Sequence, residues 1–144
     1  MKRLLQKKTW LETLTTYDIE LVEIMSGVAG VAWGVWLLNP HFKTFHGSHG
    51  YVAMSSIAPE GYWGGLMLVV GILLLMGVVT HNIAMRKKTS LFLGILWLFI
   101  ATMIGISNIK STGVPIYGVF AGFTLWSYLR LSQRVEIKSK FNKR

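Results

Sequence analysis

Four long apolar stretches, separated by short polar connections, dominate the pattern of hydrophobic and polar positions along this 144-residue chain. They cover residues 21–38, 62–80, 91–107 and 115–129. Each approaches the ~20 residues that an α-helix needs to cross a hydrocarbon core of ~30 Å. The stretch 91–107 is apolar around its whole circumference, which is typical of a helix in lipid. The pattern predicts an all-α membrane protein whose four transmembrane helices form one domain, residues 1–144.

The polar segment before the first span has a helical pattern of its own. Leu4, Leu11 and Leu14 fall on one face of a helix, and basic residues occupy other positions. Such a helix lies at the membrane surface, where Lys and Arg meet anionic lipid. We therefore predict an N-terminal interfacial amphipathic helix over residues 2–17, with a frayed polar tail as the alternative.

Lysine and arginine are distributed unevenly among the connections. All but two of the fifteen lie before the first span, between the second and third, or after the fourth; the exceptions are Lys43 and Lys110. Short loops rich in Lys and Arg face the cytoplasm. Both termini and residues 81–90 are therefore predicted inside, and residues 39–61 and 108–114 outside. Because the net charge of +9 follows this topology, it indicates anionic lipid at a basic inner face rather than nucleic acid.

The outer connection between the first two spans is unusually rich in aromatic residues and histidine. We expect it to fold back onto the bundle, with a short helix near 51–57, and to begin the second span at Ser56–Glu60. It is also a candidate surface for a partner, with these residues: His41, Phe42, Phe45, His46, His49 and Tyr51. Histidine is a good metal ligand, but no nearby Asp or Cys completes a site, so we predict no metal here.

Small residues recur four apart in every predicted span, and at that spacing they let helix backbones approach closely in lipid. The positions are Ser26, Gly30 and Gly34 in the first span, Gly61 and Gly65 at the second, Ala101 and Gly105 in the third, and Gly118 and Gly122 in the fourth. The spacing predicts helix contacts. Whether the partner helix belongs to the same chain or to a second copy stays open.

Glu23 is the acid expected inside the membrane, about one helical turn from the inner boundary. A charge at that depth needs a partner or water. Arg130 ends the fourth span on the same side, so the sequence predicts a Glu23–Arg130 ion pair at the inner boundary. A coupling-ion role of Glu23 in a small transporter or channel is the alternative.

Enzyme chemistry has no recognisable basis in this sequence. The chain contains no cysteine, which excludes disulfides and thiol catalysis. It has no arrangement of nucleophile and base, no paired catalytic carboxylates and no phosphate-binding loop. We therefore predict a non-enzymatic protein without a cofactor.

Three runs of sequence resemble small four-span membrane proteins encoded by tailed bacteriophages. The runs are Tyr51–Gly64, Ser111–Gly118 and Trp126–Arg130, and their most specific elements are Ala-Pro-Glu-x-x-Trp-Gly and Ser-Thr-Gly. The resemblance implies a viral origin and a place in the bacterial inner membrane, but supplies no catalytic residues. With the packing pattern it favours a self-associating, holin-like pore or lesion former. The alternative is an anchor or inhibitor that binds a host channel or virion component through residues 41–61.

Overall fold

The computed structural model describes the backbone of residues 2–47 and 49–141, and the side-chain surroundings of residues 19–45 and 49–133. Over these residues it contains helices and no strand. The helices are α1 (Lys2–Leu38), α2 (Thr44–Gly47), α3 (Val52–Ser55), α4 (Glu60–Val79), α5 (Ile83–Ser107) and α6 (Gly113–Phe141), with a 3-10 turn at His49–Tyr51. The all-helical prediction is confirmed for the described part of the chain.

Three helical segments are long and apolar enough to cross a membrane: Ile19–Leu38, Glu60–Val79 and Ile83–Ser107. The prediction of four such spans is therefore confirmed for three. The fourth predicted span, 115–129, lies within α6, which falls short of that apolar character. The reason is its composition, because Arg130 comes only 17 positions after the start of the helix, and Tyr117, Thr124 and Ser127 interrupt the apolar positions before it. Thr124 and Ser127 are buried inside the bundle.

The separate interfacial helix expected before the first span is replaced by a continuous helix. α1 runs over 37 residues, which corresponds to about 55 Å, well beyond a hydrocarbon core of ~30 Å. The physical reason is that neither glycine nor proline occurs between Lys2 and Ser26 to end the helix. The face that residues 2–17 present lies outside the described side chains.

Glycines bring α1 and α4 into backbone contact. A Cβ atom on Gly34 would lie 2.7 Å from the backbone nitrogen of Leu68 and 2.8 Å from the carbonyl oxygen of Gly64. A Cβ atom on Gly71 would lie 2.8 Å from the nitrogen of Val31. Such close approach replaces the hydrophobic effect as the source of helix association in lipid.

The long helices form a four-membered ring in cross-section. α1 packs against α4 and α6, and α5 packs against the same two helices. The contacts of α1 with α4, and of α5 with α6, are the most extensive. We call these the α1/α4 pair and the α5/α6 pair. It follows that α4 and α6 stand at opposite corners, as do α1 and α5.

The outer segment folds back onto the bundle, as predicted. Phe45 and Met54 are buried in the core, and α3 supplies the short helix expected near 51–57. The Glu60 carboxylate accepts hydrogen bonds from the backbone N–H groups of Thr44 (3.0 Å) and Phe45 (3.3 Å). Because Glu60 is the first residue of α4, these bonds fasten the outer segment to the start of the second span.

Candidate functional site

A fully buried carboxylate lies at the end of the bundle where α4 is joined to α5. The sequence predicts that this end faces the cytoplasm, so we call it the inner end and the opposite one the outer end. Glu23 is 0% exposed. Its Oε2 atom accepts hydrogen bonds from Nε (2.8 Å) and Nη2 of Arg86, and its Oε1 atom accepts from the hydroxyls of Ser127 (3.0 Å) and Ser90 (3.4 Å). Arg86 also donates to Glu20 at 3.1 Å. Charge neutralisation and hydrogen bonds together offset the desolvation of these groups.

Local sequence spacing assembles this cluster. Glu20 and Glu23 are three residues apart on α1, and Arg86 and Ser90 are four apart on α5, so each pair shares one helix face. Gly77, near the end of α4, leaves room for the arginine, since a Cβ atom there would lie 3.2 Å from both the nitrogen and Cγ of Arg86. The carboxylate and guanidinium thus meet across the middle of the bundle.

The predicted partner of Glu23 was wrong. Arg130 is exposed, and its guanidinium lies over the ring of Trp126, 5.3 Å from the ring centroid. α6 instead turns Ser127 and Leu131 inward. Sequence reasoning missed Arg86 because it assigned residues 81–90 to a loop, whereas α5 begins at Ile83. A signal was present: Asn82 is a favourable N-cap residue, and its side chain accepts from the backbone N–H of Met85 (3.1 Å).

Further hydrogen bonds continue from this cluster toward the outer end. The Thr124 hydroxyl donates a hydrogen bond to Ser26 Oγ (2.9 Å). Nearer the outside, Trp33 Nε1 donates to the Tyr117 hydroxyl (3.0 Å), which lies 3.3 Å from the hydroxyl of Tyr51. Burial and then the hydrogen bond with Tyr117 raise the pKa of Tyr51 above the ordinary value for tyrosine.

We call these groups together the polar seam. Its spacing is regular: Ser26 and Trp33, Ser90 and Trp97, and Tyr117 and Thr124 are each seven residues apart, two helical turns on one face. Ser26 was predicted only as a small packing residue, and no connection between the hydroxyls was predicted. The seam comprises Glu20, Glu23, Ser26 and Trp33 of α1, Tyr51 of the 3-10 turn, Arg86, Ser90 and Trp97 of α5, and Tyr117, Thr124 and Ser127 of α6.

The predicted small-residue positions divide into two groups. Those in the first and third spans contact the same chain: Gly30 lies against Leu93 and Gly71, Ala101 is buried, and a Cβ on Gly105 would make ordinary contact with Val114. The other group has open space, because a Cβ atom would meet nothing within 4 Å. Its members are Gly61, Gly65, Gly118 and Gly122.

Only part of the proposed outer partner surface is available. Phe45 is buried and stacks on the half-buried Tyr51, with ring centroids 5.1 Å apart. His41, Phe42 and His49 are exposed, and Phe42 stacks on Trp36 of α1. The side chain of His46 lies outside the described residues. Within the described part of the chain, no three His, Cys, Asp or Glu residues lie close enough to hold a metal ion.

Comparison with protein-family models, with curated proteins and with solved structures finds no match to this chain. The resemblance to phage four-span proteins therefore rests on the sequence runs alone. The structural features that bear on function are the polar seam and the two open glycine faces, Gly61 and Gly65 of α4 and Gly118 and Gly122 of α6.

Proposed function

We propose that this protein is a non-enzymatic, self-associating membrane protein of holin type, in which copies pack side by side through the open glycine faces of α4 and α6. In this proposal α6 is a fourth span, both termini are cytoplasmic, and the membrane is the bacterial inner membrane. The asymmetric distribution of Lys and Arg supports that orientation.

The outward surface of α6 supports its place in lipid. Ile116, Val119, Phe123 and Leu129 each expose more than half of their surface, while the polar Thr124 and Ser127 are buried. A helix facing water has the opposite arrangement. An apolar surface of this extent needs lipid or another protein chain to cover it.

The observation that carries the proposal is the position of the two open glycine faces. Gly61 and Gly65 lie on α4, and Gly118 and Gly122 lie on α6, at opposite corners of the ring. Gly65 and Gly118 each follow the first residue of their helix by five positions, so each lies about 7.5 Å along its helix from the start of that helix. Two different faces at matching depth give a head-to-tail contact, which propagates into rings or chains.

The α6 face also has the shape to receive a neighbouring helix. A groove of about 620 Å³ runs between α1 and α6, lined by Val22, Val119, Gly122, Phe123 and Trp126. On α4, Val69 is exposed one turn beyond Gly65 and supplies a side chain of suitable size. Glycine on one surface and an aliphatic side chain on the other permit close van der Waals contact between helices in lipid.

Cysteine crosslinking tests the head-to-tail contact directly, because the natural chain has no cysteine. Chains with Gly65→Cys and chains with Gly118→Cys are co-expressed and oxidised in membranes. We expect a crosslinked dimer from the mixture, a ladder from the double variant, and no crosslink from either variant alone. Crosslinking of Gly118→Cys chains with one another would show that the contact is symmetric and not head-to-tail. Absence of every crosslink would refute self-association.

Lysis tests the holin part of the proposal. Expression together with a cytoplasmic endolysin should collapse the membrane potential and release cytoplasmic contents, and Gly122→Leu should delay or prevent both. Ala32→Leu is the matched control, since it adds a larger side chain at an exposed position of α1 outside the two faces. An unchanged potential during overproduction of the wild-type chain rejects the holin function.

The alternative function, an anchor or inhibitor that binds a partner through residues 41–61, would have to use the exposed His41, Phe42 and His49. Replacing these three residues with alanine leaves self-association unchanged under our proposal. Loss of activity in the triple variant with association intact would favour the partner-binding alternative.

A further inference from the structure

The two helix pairs meet each other through polar groups. Within the pairs the contacts are apolar and close; for example, a Cβ atom on Gly94 of α5 would lie 2.7 Å from the Leu125 side chain of α6. By contrast, the side-chain hydrogen bonds described between spanning helices join one pair to the other, as in Glu23–Arg86, Ser26–Thr124 and Trp33–Tyr117. Ionisable residues that face the interior of a membrane bundle, as Glu23 and Arg86 do, occur in pathways for ions or protons.

We propose that the polar seam is a gated proton pathway through the middle of each copy. Its inner section contains Glu20, Glu23, Arg86, Ser90, Ser127, Ser26 and Thr124. Its outer section contains the hydroxyls of Tyr117 and Tyr51, which can pass a proton on, and the rings of Trp33 and Trp97 packed beside them. The Trp33 N–H donates to the Tyr117 hydroxyl and orients it. This activity belongs to the single chain and is independent of self-association through the outward faces of α4 and α6.

An apolar collar separates the two sections. Gly30, Leu93 and Ala121 lie between the polar levels on α1, α5 and α6 respectively, and all three are buried. A Cβ atom on Gly30 would lie 3.4 Å from Cδ1 of Leu93, so the leucine side chain closes the collar against α1. The polar levels on either side are seven residues apart, about 10 Å. Apolar constrictions of this kind gate by excluding water.

A second, independent observation places a polar group beside the collar. Trp97 is 1% exposed, and its Nε1 atom has no hydrogen-bond acceptor among the described residues. A buried indole N–H ordinarily has an acceptor, and water is the usual one where no protein group is available. Trp97 stacks on Tyr117, with centroids 5.5 Å apart, so a water molecule at its N–H would stand beside the outer section.

The chemistry of the seam favours protons over other solutes. Two carboxylates, Glu20 and Glu23, face one guanidinium, Arg86, so the formal charge excludes anions. The aromatic rings of the outer section are packed with centroids 5.5–6.0 Å apart, which leaves no passage for a hydrated cation. A proton needs no such passage: each hydroxyl or water accepts a proton on oxygen, releases its own to the next oxygen, and then reorients.

Polar substitution in the collar provides the main test. Purified protein is reconstituted at less than one copy per vesicle, a potassium diffusion potential drives proton entry, and an internal dye reports pH. Leu93→Asn should raise the proton flux at least about tenfold over wild type by hydrating the collar. Leu74→Asn is the matched control, because Leu74 is equally buried but lies on α4 outside the seam. Adding Ser127→Ala to Leu93→Asn should lower the flux again.

Equal fluxes through the Leu93→Asn and Leu74→Asn variants would overturn the proposal, as would a sodium flux equal to the proton flux. A measurement on the wild-type chain removes dependence on the folding of the variants. With ¹⁵N-labelled tryptophan in nanodiscs, the Nε1–H signal of Trp97, assigned with Trp97→Phe, should show magnetisation exchange with water. A Trp97 signal without contact to water would contradict a pathway that is hydrated at this level.

Discussion

Removing the guanidinium of Arg86 is the most informative perturbation of stability. In the Arg86→Gln variant, Glu23 loses both charged hydrogen bonds to Oε2 and retains only the hydroxyls of Ser90 and Ser127. Glu23 is 0% exposed, so water cannot take the place of the arginine without opening the bundle. Leaving one partner of a buried pair uncompensated costs about 3–5 kcal/mol.

The reverse substitution should cost less. In Glu23→Gln, Arg86 keeps its bond to Glu20 at 3.1 Å, and that carboxylate is 24% exposed toward the inner end. The double variant contains neither member of the pair and should be less destabilised than the sum of the single variants. We expect a coupling free energy of about 2 kcal/mol, within the range for residues in one network.

Unfolding in mixed micelles, with helix content followed by circular dichroism during titration with a denaturing detergent, measures these differences. Arg130→Gln is the matched control: it removes an arginine that is exposed and stacked on Trp126, so its effect should stay below about 1 kcal/mol. Additivity of Glu23→Gln and Arg86→Gln within ~0.5 kcal/mol would refute the reasoning. So would a loss of stability in Arg130→Gln equal to that in Arg86→Gln.

Two further predictions use the same titration, and a third concerns topology. Gly71→Ala should lower the free energy of unfolding by about 1–3 kcal/mol, because its Cβ would lie 2.8 Å from a backbone nitrogen of α1. Gly65→Ala should leave the free energy of unfolding of the monomer unchanged, and equal effects of the two substitutions would contradict the close contact of α1 and α4. Trp33→Phe should cost about 1 kcal/mol in the same titration through loss of the bond to Tyr117, and no change would show that this bond adds nothing to stability. A cysteine at Lys110 should react with an impermeant thiol reagent on intact spheroplasts while one at Ser139 does not, and the opposite labelling would reverse the orientation.

The apolar spans and the outer segment were predictable because their signals are local. Long apolar runs predicted three of the spanning helices, although α5 begins at Ile83, eight residues before the predicted run 91–107. Pro59 followed by Glu60 marks the start of α4. The helix start before Arg86 was also encoded by Asn82, but the run of basic residues that follows has the composition of a cytoplasmic loop. The composition of residues 83–90 predicted a loop, whereas the N-cap at Asn82 predicted a helix start, and the structure has the helix.

The polar seam was harder to predict, because it depends on how three helices are rotated against one another. Serine and threonine in a span are compatible with a helix whichever way they face, so Ser90 and Ser127 carry no individual signal. The repeated seven-residue spacing between hydroxyl and aromatic residues appears only when the three helices are compared. Whether a glycine contacts another helix of the same chain likewise depends on tertiary packing. Gly30 and Gly118 therefore have the same sequence pattern and different surroundings.

Self-association through the open glycine faces is the central claim, and subunit counting in a bilayer tests it most directly. Chains carrying one fluorophore are diluted into supported bilayers, and bleaching steps are counted in each spot. We predict several steps for the wild-type chain and for Ala32→Leu, and a single step for Gly122→Leu. Single-step bleaching of the wild-type chain, or several steps that persist in Gly122→Leu, would contradict the account.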